Sequence, residues 1–188
     1  MINLTHDLMK KTTLILIAAM LGFIGVNAQE LAIPEPEFAG QVYVVTSDST
    51  YTKLPRENAS VKMKAGASLY LTGIGKVKAR VTLEGASSSV TIPAGEVRLI
   101  LKARSNLSDP QMFISAFRFE VKGNERRAQI AEAGTFSGAE ANTLNLIDYN
   151  VEKYGESSYL LVFDNLKAGE YGILTKTYGL KVSTFTVK

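Results

Sequence analysis

The sequence predicts an all-β sandwich, and three observations predict it. Apolar and polar residues alternate with period two along one run after another. Turn-forming residues separate those runs. A Leu-x-x-Gly-x-Tyr signature opens a strand near the C-terminal end. Alternation of this kind marks a strand with one buried and one wet face. Short strands punctuated at this spacing suggest a sandwich or barrel. The expected organisation is a signal peptide over 1–28, an extended leader over 29–39 and one β-sandwich domain of about ten strands over 40–188.

Lys10 and Lys11 precede Thr12–Val26, an apolar run of 15 residues that ends at Val26-Asn27-Ala28. A basic start, a short apolar core and a small-residue cleavage site make a secretory signal. The run falls short of the roughly 20 residues of a spanning helix. No cysteine follows it, so a lipoprotein is not expected. Nothing after residue 29 reads as a membrane-spanning helix. Pro34 and Pro36 among acids make Glu30–Phe38 an extended leader, because proline lacks a donor and disfavours helix in its predecessor.

Gln41–Val45 is the first short strand. Along Lys76–Leu83, Val77, Ala79, Val81 and Leu83 face one way and Lys76, Lys78, Arg80 and Thr82 the other. Val97–Arg104 repeats the pattern, and Val61 and Met63 alternate with Lys62 and Lys64. Gln111–Lys122 is apolar on both faces at first and then alternates, which predicts a long central strand emerging into solvent. Glu125–Ala133 consists of good helix formers. Its strand surroundings favour a strand, with one short helix as the alternative.

Ser158–Phe163 is a dense apolar strand, and Leu166-Lys167-Ala168-Gly169-Glu170-Tyr171 follows it. This looks like the tyrosine corner of Greek-key sandwiches, in which the Tyr hydroxyl bonds back to upstream backbone at a crossover between sheets. It predicts an immunoglobulin-like topology whose last three strands are E, F and G. Leu166, Gly169 and Tyr171 are then structural. The same tail, Leu166–Lys188, also resembles a type IX secretion signal. A detachable signal would leave a complete domain behind, and removal of these strands would not.

The chain has 21 Lys+Arg, 18 Asp+Glu, one His, no Cys and no Trp. The one histidine, His6, lies in the expected signal peptide. The remainder therefore has no Ser-His-Asp triad, no cysteine nucleophile, no disulfide, no Fe–S cluster and no His- or Cys-ligated zinc. No cofactor or resident metal is expected. Charge is uneven along the chain. Residues 29–52 hold four acids and no bases, and 53–104 hold ten bases and three acids.

The outward cations of the amphipathic strands are Lys62, Lys64, Lys76, Lys78, Arg80, Arg98, Lys102 and Arg104. If their strands are neighbours, they form one positive face for an anionic glycan or envelope component. The bland alternative is a solvated sheet face whose lysines guard strand edges. Few aromatics interleave with these cations, and export further points away from nucleic acid. Tyr149, Tyr154 and Tyr159 are candidates for an aromatic sugar platform, or else for strand pairs. Glu120, Glu125, Glu132, Glu140, Asp148, Glu152 and Glu156 are candidate acids for a carboxylate-only hydrolase, though none sits in a motif. Asp109, Asp148 and Asp164 could contribute to a calcium site, but no Asp-x-Asp-x-Asp-Gly loop is present.

Gly66–Val77, Glu125-Arg126-Arg127-Ala128, Tyr154–Tyr159 and Gly169–Ile173 carry a resemblance to uncharacterised exported β-sandwich proteins of Bacteroidetes. The resemblance implies the fold and an envelope or extracellular location, and no chemistry. Asp48-Ser49-Thr50 resembles the short O-glycosylation acceptor of the same bacteria.

Three functions compete. The first is a non-catalytic exported module, periplasmic or at the cell surface, that binds a glycan, an envelope component or a protein. The second is a small outer-membrane barrel, disfavoured because most strands are about 6–8 residues rather than the roughly 9–11 needed to span. The third is a carboxylate-dependent glycoside hydrolase.

Overall fold

The computed structural model describes residues 31–188 except 73, 136, 137, 142, 143 and 176–179, with backbone alone at 134 and 138–141. The expected signal peptide lies outside the described residues. Ala32–Lys188 forms one compact unit, and all strands among the described residues belong to it.

In chain order the strands are β1 (Val42–Ser47), β2 (Thr50–Lys53), β3 (Arg56–Asn58), β4 (Ser60–Ala65), β5 (Lys76–Glu84), β6 (Thr91–Ile92), β7 (Gly95–Lys102), β8 (Ile114–Lys122), β9 (Glu125–Gly134), β10 (Gly138–Ala141), β11 (Asn150–Tyr154), β12 (Ser158–Leu166), β13 (Gly169–Thr175) and β14 (Lys181–Val187). Among the described residues, fourteen segments thus stand where about ten were expected. The excess comes mainly from short pieces such as β3, β6 and β10, which have no alternation long enough to read. A short helix, α1 (Ala67–Thr72), joins β4 to β5, and a 3₁₀ turn at Pro110–Met112 precedes β8. The long strand expected from Gln111 therefore starts at Ile114. Asp109 ends the extended run by accepting the Gln111 N–H at 2.9 Å, and Pro110 suits the first position of such a turn. Glu125–Gly134 is strand, because its β5 partners lie along its whole length.

The first sheet runs β11-β12-β7-β1-β2 and the second β3-β14-β13-β8-β9-β5-β4. The order β1-β7-β12-β11 is A-B-E-D of an immunoglobulin sandwich, and β8-β13-β14 is C-F-G. The Greek-key, immunoglobulin-like frame expected from the sequence is present. At the E–F crossover the Tyr171 hydroxyl donates to the Lys167 carbonyl at 2.6 Å, and Leu166 and Tyr171 are buried. Leu99, Leu101, Leu161, Phe163, Ile173 and Phe185 fill the space between the sheets. The tail from Leu166 onward supplies β13 and β14 and several of these core residues.

A long excursion between β1 and β7 adds β2 to β6, and β9 and β10 follow β8. β3 pairs with β14, β4 pairs with β5, and only Ala59 separates β3 from β4. Ala59 itself donates to the Leu180 carbonyl at 2.8 Å. The second sheet therefore closes on itself around a second core of Val81, Leu83, Phe117, Phe119, Ala128 and Val182. Closure removes free strand edges, which otherwise invite aggregation.

Arg126 plugs this closed sheet and is 1% exposed. Its guanidinium donates to the Gly85 and Glu84 carbonyls at 3.1 and 3.0 Å and to the Glu57 carboxylate at 2.6 Å. It also lies over the Phe119 ring, 5.9 Å from its centre. Glu57 in turn accepts the Thr184 hydroxyl. The side chain thus ties β9 to β3 and to the end of β5. Loss of one partner from such a pair leaves the other charge buried and uncompensated.

The leader docks on the outer face of the first sheet. Ile33 packs with Tyr43 and Ile100, and Tyr154 donates to the Ile33 carbonyl. The Glu35 carboxylate accepts the N–H groups of Glu156 and Ser157 at 2.6 and 3.2 Å and the Ser158 hydroxyl at 2.5 Å, and pairs with Lys102 at 2.8 Å. Gly155 sits at φ 55° directly against that carboxylate, where an added Cβ would collide with it.

Both locks can be tested by unfolding. Burial alone would raise the Glu35 pKa, but the Lys102 ammonium, the Ser158 hydroxyl and the two backbone N–H groups bring it down to about 2. A carboxylate depressed in the folded state contributes stability that is complete above its unfolded pKa and disappears as pH falls through the folded one. Glu35→Gln should cost about 2 kcal/mol at pH 7 in urea unfolding, and the gap to the parent should narrow between pH 4.5 and 2. Arg126→Ala should cost about 3–5 kcal/mol by the same measurement, far more than truncation of an exposed arginine.

Candidate functional site

Pairing register decides which cations share a surface. Lys62 stands opposite Arg80 and Lys64 opposite Lys78 across β4 and β5, and Lys76 follows on the same face of β5. On β9 this face continues through Glu132, Gln129, Arg127 and Glu125, and on β8 through Glu120 and Lys122. Period two adds Arg118 to the β8 series. The apolar side chains of the same strands, Val81, Leu83, Phe117 and Phe119, point into the second core. The charged face is therefore the outer wall of the closed sheet.

Five of the eight cations expected from the sequence come together here: Lys62, Lys64, Lys76, Lys78 and Arg80. The other three do not. Arg98 and Lys102 lie on β7 in the first sheet. Arg98 pairs with Asp48 at 3.1 Å and with Glu96 at 3.6 Å, and Lys102 pairs with Glu35. Arg104 is exposed just beyond β7. The single positive face expected over all eight is corrected to a wall of β4, β5, β8 and β9. Sequence reasoning missed Arg118, Lys122 and Arg127. Each has an acid within three residues, Glu120 or Glu125, so no local charge run marks them.

Two carboxylates hold part of this wall in place. Glu125 pairs with Lys62 at 2.7 Å and with Arg127 at 2.6 Å. Hydrogen bonds from those two cations lower its pKa. Glu132 pairs with Lys76, and with Lys78 at 3.0 Å. Hydrogen bonds from Lys76 and Lys78 bring its pKa down to about 2. Both stay ionised at neutral pH, so they serve as anchors for cations. Lys64, Arg80 and Lys122 have no carboxylate within ion-pair distance among the described residues.

Two recesses open on the wall, and Arg80 lines both. In the first, β8 and β9 pair only near their hairpin, over Glu120–Lys122 and Glu125–Arg127, and then diverge. Residues 144–147 pair with the diverging part of β8, where Arg118 N–H donates to the Asn145 carbonyl at 3.0 Å. A bulge between Ala79 and Arg80 sets Arg80 opposite Gln129. The resulting recess of about 400 Å³ is lined by Arg80, Arg118, Glu120, Arg127, Gln129 and Asn145. Arg118 is fixed there: it donates to the Ala168 carbonyl at 2.6 Å and lies over the Tyr171 ring at 6.0 Å, which binds it to the tyrosine corner. The second recess, about 470 Å³, lies behind α1 and is lined by Lys64, Lys76, Lys78, Arg80 and Lys122 with Gly66, Ser68 and Gly75. Cationic side chains line both recesses, with Arg118 held in the first and Lys76 and Lys78 held by Glu132 in the second, and such donors suit sulfate, phosphate or carboxylate groups.

The other sequence candidates lie elsewhere. Tyr149, Tyr154 and Tyr159 form no platform. Tyr159 is buried and donates to the Ser108 carbonyl at 2.6 Å, Tyr149 donates to the Ile114 carbonyl at 3.1 Å, and Tyr154 holds the leader. Burial, with help from the Asp109 charge, raises the Tyr149 pKa to about 12. Asp109 caps the 3₁₀ turn, and Asp164 lies 3.5 Å from the Asn150 amide. Among the described residues no group of three Asp, Glu, His or Cys side chains is placed to hold a metal ion. The Glu140 side chain lies outside the described residues. No helix among the described residues is long and apolar enough to cross a membrane.

No family model, curated protein or solved structure matches this chain.

Proposed function

We propose that this protein is an exported, non-catalytic β-sandwich module that binds an anionic polymer, an acidic glycan of the cell envelope or its surroundings. The observation that carries this reading is the outer wall of the closed sheet, where Lys64, Arg80 and Lys122 stand without carboxylate partners among the described residues around two adjoining recesses. Adjoining recesses suit a repeating anion better than a single small one. A surface of one sign also raises the local concentration of an oppositely charged ligand.

Two features weigh against the competing functions. Cations lower the pKa of Glu125 and Glu132, so neither of these two suits the proton-donor role of a glycosidase, which needs a raised pKa. Val81, Leu83, Phe117, Phe119 and Val182 of the closed sheet point inside and a row of charged side chains lies outside, the reverse of a barrel that faces lipid.

Binding to dextran sulfate and to polygalacturonate, read by calorimetry at low and moderate salt, tests the proposal. Lys64→Glu with Arg80→Glu should weaken binding about tenfold or more, and added salt should weaken the parent because exposed charges are screened over about 10 Å at 0.1 M. Arg104→Glu, on the far side of β7, should leave affinity within about twofold. Equal losses from both variants, or affinity indifferent to salt, would overturn the reading.

A further inference from the structure

The hairpin that carries the wall ends in an apolar tip. Tyr70 is 80% exposed, Leu71 84%, Ile74 51% and Met63 73%. These residues come from β4, α1 and the turn into β5, within one stretch of twelve residues. Val61 and Met63 lie on the face of β4 opposite Lys62 and Lys64, and that face was expected to be buried. Instead β4 carries no buried residue. Soluble proteins rarely leave clustered large apolar side chains in water without a use for them.

The tip does not stand alone. The recess behind α1 puts Lys64, Lys76, Lys78, Arg80 and Lys122 immediately beside it, and among the described residues Glu132 is the one carboxylate paired there. An apolar end with a collar of cations has the two signals that stable attachment to a membrane surface requires: apolar side chains entering the headgroup boundary, and positive charge held against anionic lipid. Tyrosine at such a tip suits the boundary itself, since its ring is apolar and its hydroxyl wet. Gly75 lets α1 fold back over the lysines, for an added Cβ would meet the Leu69 backbone and Cβ at 2.9 Å. The collar and the tip are therefore held on one compact end.

We propose that the β4–β5 hairpin docks on a bilayer surface rich in anionic headgroups. Tyr70, Leu71 and Ile74 enter the interface, and the lysine-lined recess takes the headgroup phosphates. This shares the basic wall with the polymer-binding reading but adds the apolar tip, which a soluble polymer does not need.

The chain contains no tryptophan, so Leu71→Trp in the full chain gives a reporter at the tip, and Leu107→Trp, at a position 83% exposed in the β7–β8 loop, gives a control. Vesicles of phosphatidylcholine alone and of phosphatidylcholine with about 30% phosphatidylglycerol, an anionic lipid, are the probes. The expected result is a blue shift of the tip tryptophan, quenched by brominated lipid, with the anionic vesicles only and no shift of the control tryptophan. Lys64→Glu with Lys122→Glu in the reporter chain should reduce vesicle binding about tenfold. Leu71→Ser with Ile74→Ser should reduce vesicle binding while dextran sulfate binding holds. An unshifted tip tryptophan with both vesicles overturns membrane docking, and retained dextran sulfate binding in that case leaves the polymer reading standing. A tip-tryptophan shift that grows with protein concentration in the absence of vesicles also overturns it, and assigns the tip to self-association.

Discussion

Residues 56–65 hydrogen-bond to β14 through Arg56–Asn58 and to β5 through Ser60–Ala65, with Ala59 between them. This double pairing converts an open immunoglobulin-like sheet into a closed one. Without it, the β4–β5 hairpin would be a flap attached only to β9. With it, Val81 and Leu83 are held against Phe117, Phe119 and Val182, at about 1.5–3 kcal/mol for each large apolar side chain removed from water. Every charged residue on the opposite face of those strands is then forced outward. The basic wall is the other side of the second core.

The two cores divide the work. The first joins the sheets through the frame that the tyrosine corner fixes. The second rests on an excursion between the A and B strands and is plugged by Arg126. Charge is distributed accordingly. In the first sheet, Arg98 and Lys102 are absorbed by Asp48, Glu96 and the leader. On the closed sheet, Glu125 and Glu132 each hold two cations in place, and others remain available. The ion pairs of the wall are exposed on the lysine side, so they contribute little to stability and serve to set geometry.

Much of the frame was legible in the sequence, for local reasons. The alternation along 76–83 and 97–104 and the Leu166–Tyr171 turn are signals within one strand or one corner, and they lead to β5, β7 and the E–F crossover. What depends on partners was not legible. Val61 and Met63 alternate as cleanly as Val81 and Leu83, yet they lie beyond the second core and are exposed. Nothing local to Arg98 says that β7 belongs to the other sheet. The leader reads as a passive acidic segment, whereas Glu35 gathers donors from β7 and from the β11–β12 turn, more than 60 residues away along the chain. Arg126 did leave a trace. It shares its face with Ala128 and Ile130, so a strand over 125–133 also places an arginine inside.

The closure of the second sheet is the claim on which the wall, its recesses and the exposed tip all rest. Cross-strand nuclear Overhauser contacts from residues 56–65 test it most directly. The account predicts backbone contacts between Glu57 and Val182 and between Lys62 and Arg80 in the same sample, because one strand serves both neighbours. Contacts to β5 without any to β14 would contradict it: the hairpin would be a free flap and the charged face would have no fixed wall to stand on.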